Sequence, residues 1–458
     1  MALLLGNSPQ YVAMYYGVLA AGHVAVPLNV QEGHRTVARQ IEHCGAEVVY
    51  ADRKYPGWAH VGASLNQSRA EMRQLSLLEG SNSLARFVEE MPLGDDIAPQ
   101  PDLAPDRLAA ILYTSGTTGR PKGVMLSHGN LASNAEAIIR YVGLGRADRG
   151  FCALPLPFSF GNSALNSHLL SGARLALEDN MAFPQLVLRR MQEESVTGFV
   201  GVPSTFALLQ ARSHLRDFDL SALRYIVQAG GPMPGALTTW LRQQLPNAQL
   251  FIGYGQTEAT ARLTYLPPAR LDDKPGSVGV PVAGVEIDVR DVDRSVTAHG
   301  RGEIWVRGPG VMLGYWNDAA ATAEVLRDGW LRTGDFGWRD EEGYFYIDGR
   351  AVEMIKSGAF RVSPQEIEEA IAELADVEEV GVTAVADPLL GQAIKAVIVP
   401  RPGTAGNAAA IKAHCRRQLA ANKVPKIVTF VRALPRTASG KVQRAKLADL
   451  IDEATGAP

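Results

Sequence analysis

Residues 223–253 read LRYIVQAGGPMPGALTTWLRQQLPNAQLFIG. LRYIVQ (223–228) is short, apolar and rich in β-formers, which predicts a strand. AGGPMP (229–234) turns the chain with two glycines and two prolines. GALTTWLRQQL (235–245) spaces its apolar residues as one helix face does. AQLFIG (248–253) is a second strand. A strand, a helix and a strand within about thirty residues form a crossover, and its strands run parallel. The fold class is therefore α/β. In open sheets of this class, ligands bind beyond the carboxyl ends of the strands. AGGP and GYGQTE (253–258) stand there.

The alternation of strand-like and helical runs extends outward from this unit. YVAMYYGVLAAGHVAVPLNV (11–30) approaches the length of a membrane span. Gly22-His23 and Pro27 interrupt it, so it reads as a buried helix followed by a buried strand, with no membrane span. The 458 residues exceed one compact core. After Gly349 the texture changes. SPQEIEEAI (363–371) opens a helix with Ser363 as N-cap, Pro364 at the first helical position and Glu366 three residues after the cap. VGVTAVAD (380–387) and AIKAVIVP (393–400) are strands, and a helix follows over about 408–419. The expected organisation is a large N-terminal domain of mixed and parallel sheets packed with helices, 1–349, and a small mobile α+β C-terminal domain, 350–458. They divide at DGRA (348–351).

Composition narrows the function. Hydrophobic residues make up 46% and charged residues 20%, with a net charge of −3. That charge gives no footing for nucleic acid. Residues 401–458 carry 11 Lys+Arg against 3 Asp+Glu, a local +8. This is either a solvated helix face or a basic lid that meets phosphates or an acidic partner. Cys44, Cys152 and Cys415 form no metal or redox motif and read as reduced, buried thiols of a cytoplasmic protein. The stretch after Met1 has no basic run, so no signal peptide is expected within the sequence.

ILYTSGTTGRPKGV (111–124) joins a strand to a strand. A Walker A loop joins a strand to a helix and ends in GK[ST]. Here Lys122 stands between Pro121 and Gly123, so that pattern fails. What remains is a run of hydroxyls and glycine N–H groups from Thr114 to Thr118, with Lys122 as a point charge. It is either a surface turn or a cradle for polyphosphate. RGPGVMLGYW (307–316) has the spacing GxGxxxG and reads as turns at strand ends, not as a dinucleotide site.

YTSGTTGRPKG (113–123) resembles the signature loop of the adenylate-forming superfamily, which includes acyl- and aryl-CoA synthetases, adenylation domains of nonribosomal peptide synthesis and beetle luciferases. Four further motifs resemble the family's in the same order. They are GYGQTEAT (253–260), WLRTGDFG (330–337), YIDGRAVEMIKSGAFRVSPQEIE (346–368) and PRTASGKVQR (435–444). The resemblance implies that ATP and a carboxylic acid form an acyl-adenylate with release of pyrophosphate. A thiol, either coenzyme A or the phosphopantetheine of an acyl carrier protein, then displaces AMP. Transfer to an amine or other nucleophile, or a non-catalytic nucleotide-binding regulator, are the alternatives.

The resemblance also implies residue roles. Lys441 bridges the carboxylate and the α-phosphate, where a positive charge screened from water is worth most. Thr257 hydrogen-bonds the α-phosphate. Glu258, with Thr118, offers hard oxygen to Mg²⁺. Thr114, Ser115, Gly116, Thr117, Thr118 and Lys122 cradle the phosphates. Tyr254 stacks on adenine beside Gly230, Gly231 and Gly255. Asp335 accepts from two ribose hydroxyls, with Arg350 nearby. Phe158, Ser159, Phe160, Ser204 and Gly253 line the acid pocket, although Phe158 and Phe160 also fit a plain core.

Four departures from the family stand out. A segment usually found before ALLLGNSP (2–9) is expected to be missing. Val352 stands where the hinge is often charged. Ala359 and Phe360 make the KSGAFR loop bulkier than a double glycine. Ser159 follows Phe158 where amino-acid-activating relatives place an Asp, so no carboxylate meets an ammonium. The expected substrate is an acid without an α-amine.

Overall fold

The computed structural model describes residues 1–52, 55, 61, 71–75, 103–114, 122–179, 181–290, 300–350, 355–357, 360–362, 364–387, 391–404, 406–419, 423–437 and 442–451. They fall into two compact units. One comprises 1–288 and 305–333, the other 289–304 and 334–458.

The first unit opens with a parallel sheet of β1 (Ala2–Leu4), β2 (Val26–Pro27), β3 (Val48–Asp52) and β4 (Glu71–Leu75), in the order β2-β1-β3-β4. Helix α1 (Pro9–Ala20) is capped by Ser8, whose hydroxyl accepts from the Tyr11 N–H at 3.1 Å. Helix α1 and strand β2 share the apolar run 11–30, as expected. With α2 (His34–Cys44), these elements bury a core that includes Leu4, Leu28, Val37, Ile41 and Val49. None of the described helices is long and apolar enough to cross a membrane.

Strands β5 (Leu108–Thr114) and β6 (Lys122–Ser127) form an antiparallel pair whose last register places Thr114 opposite Lys122. Helix α3 (His128–Val142) follows through a capping box of Ser127 and Asn130. The central sheet then takes β7 (Arg149–Cys152), α4 (Ser159–Leu170), β8 (Arg174–Leu177), α5 (Pro184–Glu193), β9 (Gly198–Gly201), α6 (Pro203–Arg212), β10 (Tyr225–Gln228), α7 (Gly235–Gln244), β11 (Gln249–Tyr254), β12 (Thr264–Leu266) and β13 (Val280–Pro281). The strand order is β13-β12-β11-β10-β9-β7-β8. The stretch 223–253 forms the parallel crossover expected of it, with Val227 opposite Phe251. All four residues of β10 are buried, as a central parallel strand covered on both faces requires.

Strand β7 lies between β8 and β9, so the chain reverses direction across the sheet there. The carboxyl end of β7 leads to Phe158–Phe160, and that of β9 leads to Ser204. A crevice at such a reversal is where sheets of this class bind ligands.

Beyond the sheet come β14 (Glu286–Arg290), β15 (Gly302–Arg307), β16 (Gly314–Tyr315), α8 (Ala319–Val325), β17 (Leu326–Arg327), β18 (Trp330–Arg339) and β19 (Phe345–Arg350). Strand β16 pairs with β6, placing Tyr315 opposite Val124.

In the second unit, β20 (Ile355–Ser357), β21 (Phe360–Val362), β22 (Val377–Asp387), β23 (Gly391–Pro400) and β24 (Ile427–Phe430) form a sheet in the order β21-β20-β23-β22, with β24 on β23. Helices α9 (Pro364–Ala372) and α10 (Ala408–Gln418) bury Ile367, Ile371, Ile411 and Cys415 against Val382, Ile394 and Ile398. This is the expected α+β unit. The proposed cap Ser363, with Val352 and Ala359, lies outside the described residues.

Candidate active site

The β5–β6 pair supplies the phosphate side. Thr114 and Lys122 form the neck of the loop. Ser115, Gly116, Thr117 and Thr118 lie outside the described residues. The Lys122 ammonium stands 4.8 Å from the centre of the Tyr315 ring. The Tyr315 hydroxyl donates to Glu258 Oε1 at 2.9 Å. Tyr315 therefore ties the loop's lysine to the expected metal ligand. Sequence reasoning missed it. LGYW (313–316) was visible, but its partner is 57 residues away in the chain.

Glu258 sits on a tight turn, Thr257–Ala259, directly after β11. Thr260 ends that turn at φ +67°, a strained conformation for a β-branched residue. Its hydroxyl donates to the Gly310 carbonyl at 2.6 Å, and the Met312 N–H donates to the Glu258 carbonyl at 2.9 Å. The turns of 307–316 thus clamp the GYGQTE segment from outside.

The carboxyl edge of β10 and β11 is open. Gly230 and Gly231 are exposed. Gly230 has φ +84°, and a Cβ there would lie 3.1 Å from Val202 Cγ1. The buried Gln228 amide braces this turn by donating to the Gly231 carbonyl at 2.9 Å. Tyr254, Thr257 and Glu258 are half-buried. A Cβ on Gly255 would fall 1.8 Å from the Ala261 carbonyl, so the chain's own return path demands glycine there.

The acid side meets this edge directly. The Thr257 hydroxyl donates to Ser159 Oγ at 3.0 Å. Phe158 and Phe160 are half-buried at the start of α4. Ser204 is exposed in the first turn of α6. Gly253 is packed against the Arg262 guanidinium, which also lies over the Phe160 ring. Beneath them the neutral His168 is locked in one tautomer. The Ala164 carbonyl can only accept, so Nδ1 carries the proton, at 2.7 Å, and Nε2 accepts from the Tyr225 hydroxyl at 2.6 Å. Burial pushes the His168 pKa down, the Tyr225 pKa up, and the Cys152 thiol up to about 12. Cys152, at the end of β7, is therefore no nucleophile.

In the second unit, β18 and β19 place Asp335 directly opposite Arg350. Asp335 is 5% exposed. Lys441 lies outside the described residues. Arg436 and Val442, on either side of its segment, pair as an antiparallel bridge, and the Gln443 N–H donates to the Pro435 carbonyl at 2.8 Å.

Among the described residues, no group of three or more His, Cys, Asp or Glu could hold a metal ion. Glu258 alone suits Mg²⁺, which takes one or two carboxylates and completes its shell with substrate phosphates and water. The donor set fits a metal that arrives with ATP.

Residues 1–316 match the model of AMP-binding enzymes, and residues 366–441 match the C-terminal domain of AMP-binding enzymes. The chain is similar to feruloyl-CoA synthase of Amycolatopsis sp., at 36% identity over 98% of this chain and 88% of the relative. It is similar to indoleacetate–CoA ligase of Aromatoleum aromaticum, at 34% identity over 99% of this chain and 89% of the relative. The fold is similar to that of o-succinylbenzoate coenzyme A synthetase from Bacillus subtilis in complex with ATP and magnesium ion. That likeness has a TM-score of 0.86 and 28% identity, covering 98% of this chain and 89% of the other.

Proposed function

We propose how its own residues divide the work from the premise that this chain belongs to the AMP-binding enzyme family. It is an ATP-dependent, magnesium-using acid–CoA ligase of the acyl or aryl type. A carboxylate oxygen of the acid attacks the α-phosphorus of ATP, and the bond to pyrophosphate breaks. The sulfur of coenzyme A then attacks the acyl carbon, and AMP leaves.

The observation that carries the assignment of residues is the Thr257–Ser159 hydrogen bond of 3.0 Å. It joins the acid side to the phosphate side at a single point on the sheet edge. On this reading Thr257 orients the α-phosphate and Ser159 lies beside the incoming carboxylate. Tyr254 stacks on adenine, and the open Gly230-Gly231 turn lets the base approach. Thr114, Lys122 and the loop between them hold the β- and γ-phosphates. Glu258 would hold Mg²⁺ together with phosphate oxygens, and Tyr315 fixes its carboxylate. Bound Mg²⁺ would neutralise charge on the phosphates.

Asp335 accepts from the ribose hydroxyls, and its register opposite Arg350 supports a shared site for the two. Lys441 supplies the positive charge between carboxylate and phosphate. The working domains are 1–349 and 350–458, and the small one turns about Gly349-Arg350. Gly349 at φ +135° has the backbone freedom for that turn. Three free, buried cysteines support a cytoplasmic setting.

The substrate is an acid without an α-amine, because Ser159 offers no counter-charge for one. Acid-dependent exchange of pyrophosphate into ATP tests this. Exchange is expected with aryl or acyl acids, followed by thioester formation with coenzyme A. Exchange strongest with a free α-amino acid would reject the reading.

A further inference from the structure

Arg262 is 1% exposed. It stands four residues after Glu258, on the return from the Thr257–Ala259 turn to β12. Its guanidinium carbon is 5.0 Å from the centre of the Phe160 ring. A Cβ built on Gly253 would fall 2.1 Å from its Nη1. The cation therefore occupies the space between two positions assigned to the acid pocket, and Gly253 is glycine because the guanidinium fills the room a side chain would take.

Its surroundings do not neutralise it. Nε and Nη1 are buried without a hydrogen-bond partner. No carboxylate among the described residues pairs with it. Two neighbours share the deficit. Asn134, which donates to the Arg262 carbonyl at 3.0 Å, keeps a buried Oδ1 with no partner, and the buried Tyr141 hydroxyl makes no well-formed bond either, although it lies against the Arg262 side chain. Burial pushes the Tyr141 pKa up, and the Arg262 charge and the contact with its side chain act against that shift. The space bounded by Ile138, Phe160, Ala164, His168, Tyr225 and Arg262 amounts to about 10 Å³, room for a single water.

A buried cation with unmade hydrogen bonds is a costly element to keep in a fold. The cost is relieved if a bound anion completes its shell. We propose that Arg262 is a specificity-determining residue that receives a second, anionic group at the far end of the acid. The substrate class is then a compact carboxylic acid bearing another carboxylate or an equivalent oxyanion. This inference rests on the acid–CoA ligase reading and specifies its substrate.

The test compares matched acids on the purified full chain, with ATP, Mg²⁺ and coenzyme A. Terephthalate is set against 4-methylbenzoate, and adipate against hexanoate, each followed by pyrophosphate release. The unmodified enzyme is expected to favour the dianion in kcat/KM by at least about 10²-fold. A site built to hydrogen-bond a polar group rejects an analogue lacking it. Arg262→Met should collapse that ratio toward unity, mainly through a raised KM for the dianion. Arg262→Lys should retain part of it.

A wild-type preference for the apolar partner of each pair would overturn the inference, and so would an unchanged ratio in a folded Arg262→Met enzyme. If Arg262→Met does not fold, the wild-type ratio decides alone. Failure to activate any acid, amino acids included, would instead reject the ligase reading itself.

Discussion

The two sides of the β10–β11 edge solve opposite problems. On the nucleotide side, Tyr254, Thr257 and Glu258 are half-buried, and Glu258 has a partner in Tyr315. On the acid side, Arg262 is sealed from solvent with unmade hydrogen bonds, beside a neutral His168 held by Ala164 and Tyr225. A ligand that brings its own charge and hydration, as a metal–phosphate complex does, suits partly solvated donors that shift little on binding. A desolvated cation instead rewards one complementary anion strongly and penalises everything else. On the proposed reading the open side carries the chemistry and the closed side the choice of substrate.

The sharpest way to break this contrast is Lys441→Ala. Removing one donor that stabilises developing charge costs on the order of 10²–10³ in rate. Adenylate formation from acid and ATP should fall by that much. Conversion of chemically prepared acyl-adenylate plus coenzyme A to thioester should stay near the unmodified rate if, as proposed, Lys441 acts only in the first step. Paired single-turnover assays measure both. Equal loss in both would reject the turning of the small domain, and no loss in either would reject the lysine.

Glu258→Gln probes the open side at its proposed metal ligand. Pyrophosphate exchange at ordinary Mg²⁺ should drop about 10²-fold, the scale of losing a partner at a metal site. Raising Mg²⁺ should restore part of it, with an unchanged thermal melt. An unaltered Mg²⁺ requirement would remove Glu258 from the site.

Tyr315→Phe deletes only the hydroxyl that orients Glu258. A change of about tenfold in apparent Mg²⁺ affinity is expected, with kcat at saturating Mg²⁺ nearly kept. A loss in kcat at all Mg²⁺ levels would mean that Tyr315 acts on something other than the metal ligand.

The smallest effect lies on the closed side and reads as stability. Burial holds the His168 pKa below its usual value. The unfolded chain therefore takes up a proton near pH 6.5 that the folded protein refuses until lower pH. Stability should fall as pH drops below about 6.5, by at most about 1.4 kcal/mol per pH unit from this group. His168→Gln should flatten that slope in urea titrations between pH 7.5 and 5.5. The same slope in both proteins would show that His168 is not the titrating group.

Several features needed no coordinates. The crossover of 223–253 was legible because a change from strand period to helix period is local. The strand pair that flanks the 111–124 loop was legible because apolar runs stand on both sides of it. The C-terminal unit announced itself by its change of texture at Gly349. The compact units group residues 289–304 and 334–349 with the C-terminal part. That grouping depends on strand packing between distant segments, whereas texture marks only where the chain changes character.

Arg262 and Tyr315 show what the chain alone withholds. In sequence Arg262 is one arginine among polar neighbours in TEATARLTY, and the ordinary expectation for such a residue is solvent exposure. Only the packing of α4 against the sheet puts the Phe160 ring under it and removes water. Tyr315 reaches Glu258 only because β16 pairs with β6, far earlier in the chain. Motif chemistry is carried by residues close in sequence, so it survives reading in one dimension. Burial, and the loss of hydrogen-bond partners that comes with it, depends on which surfaces meet, and only the tertiary structure decided that.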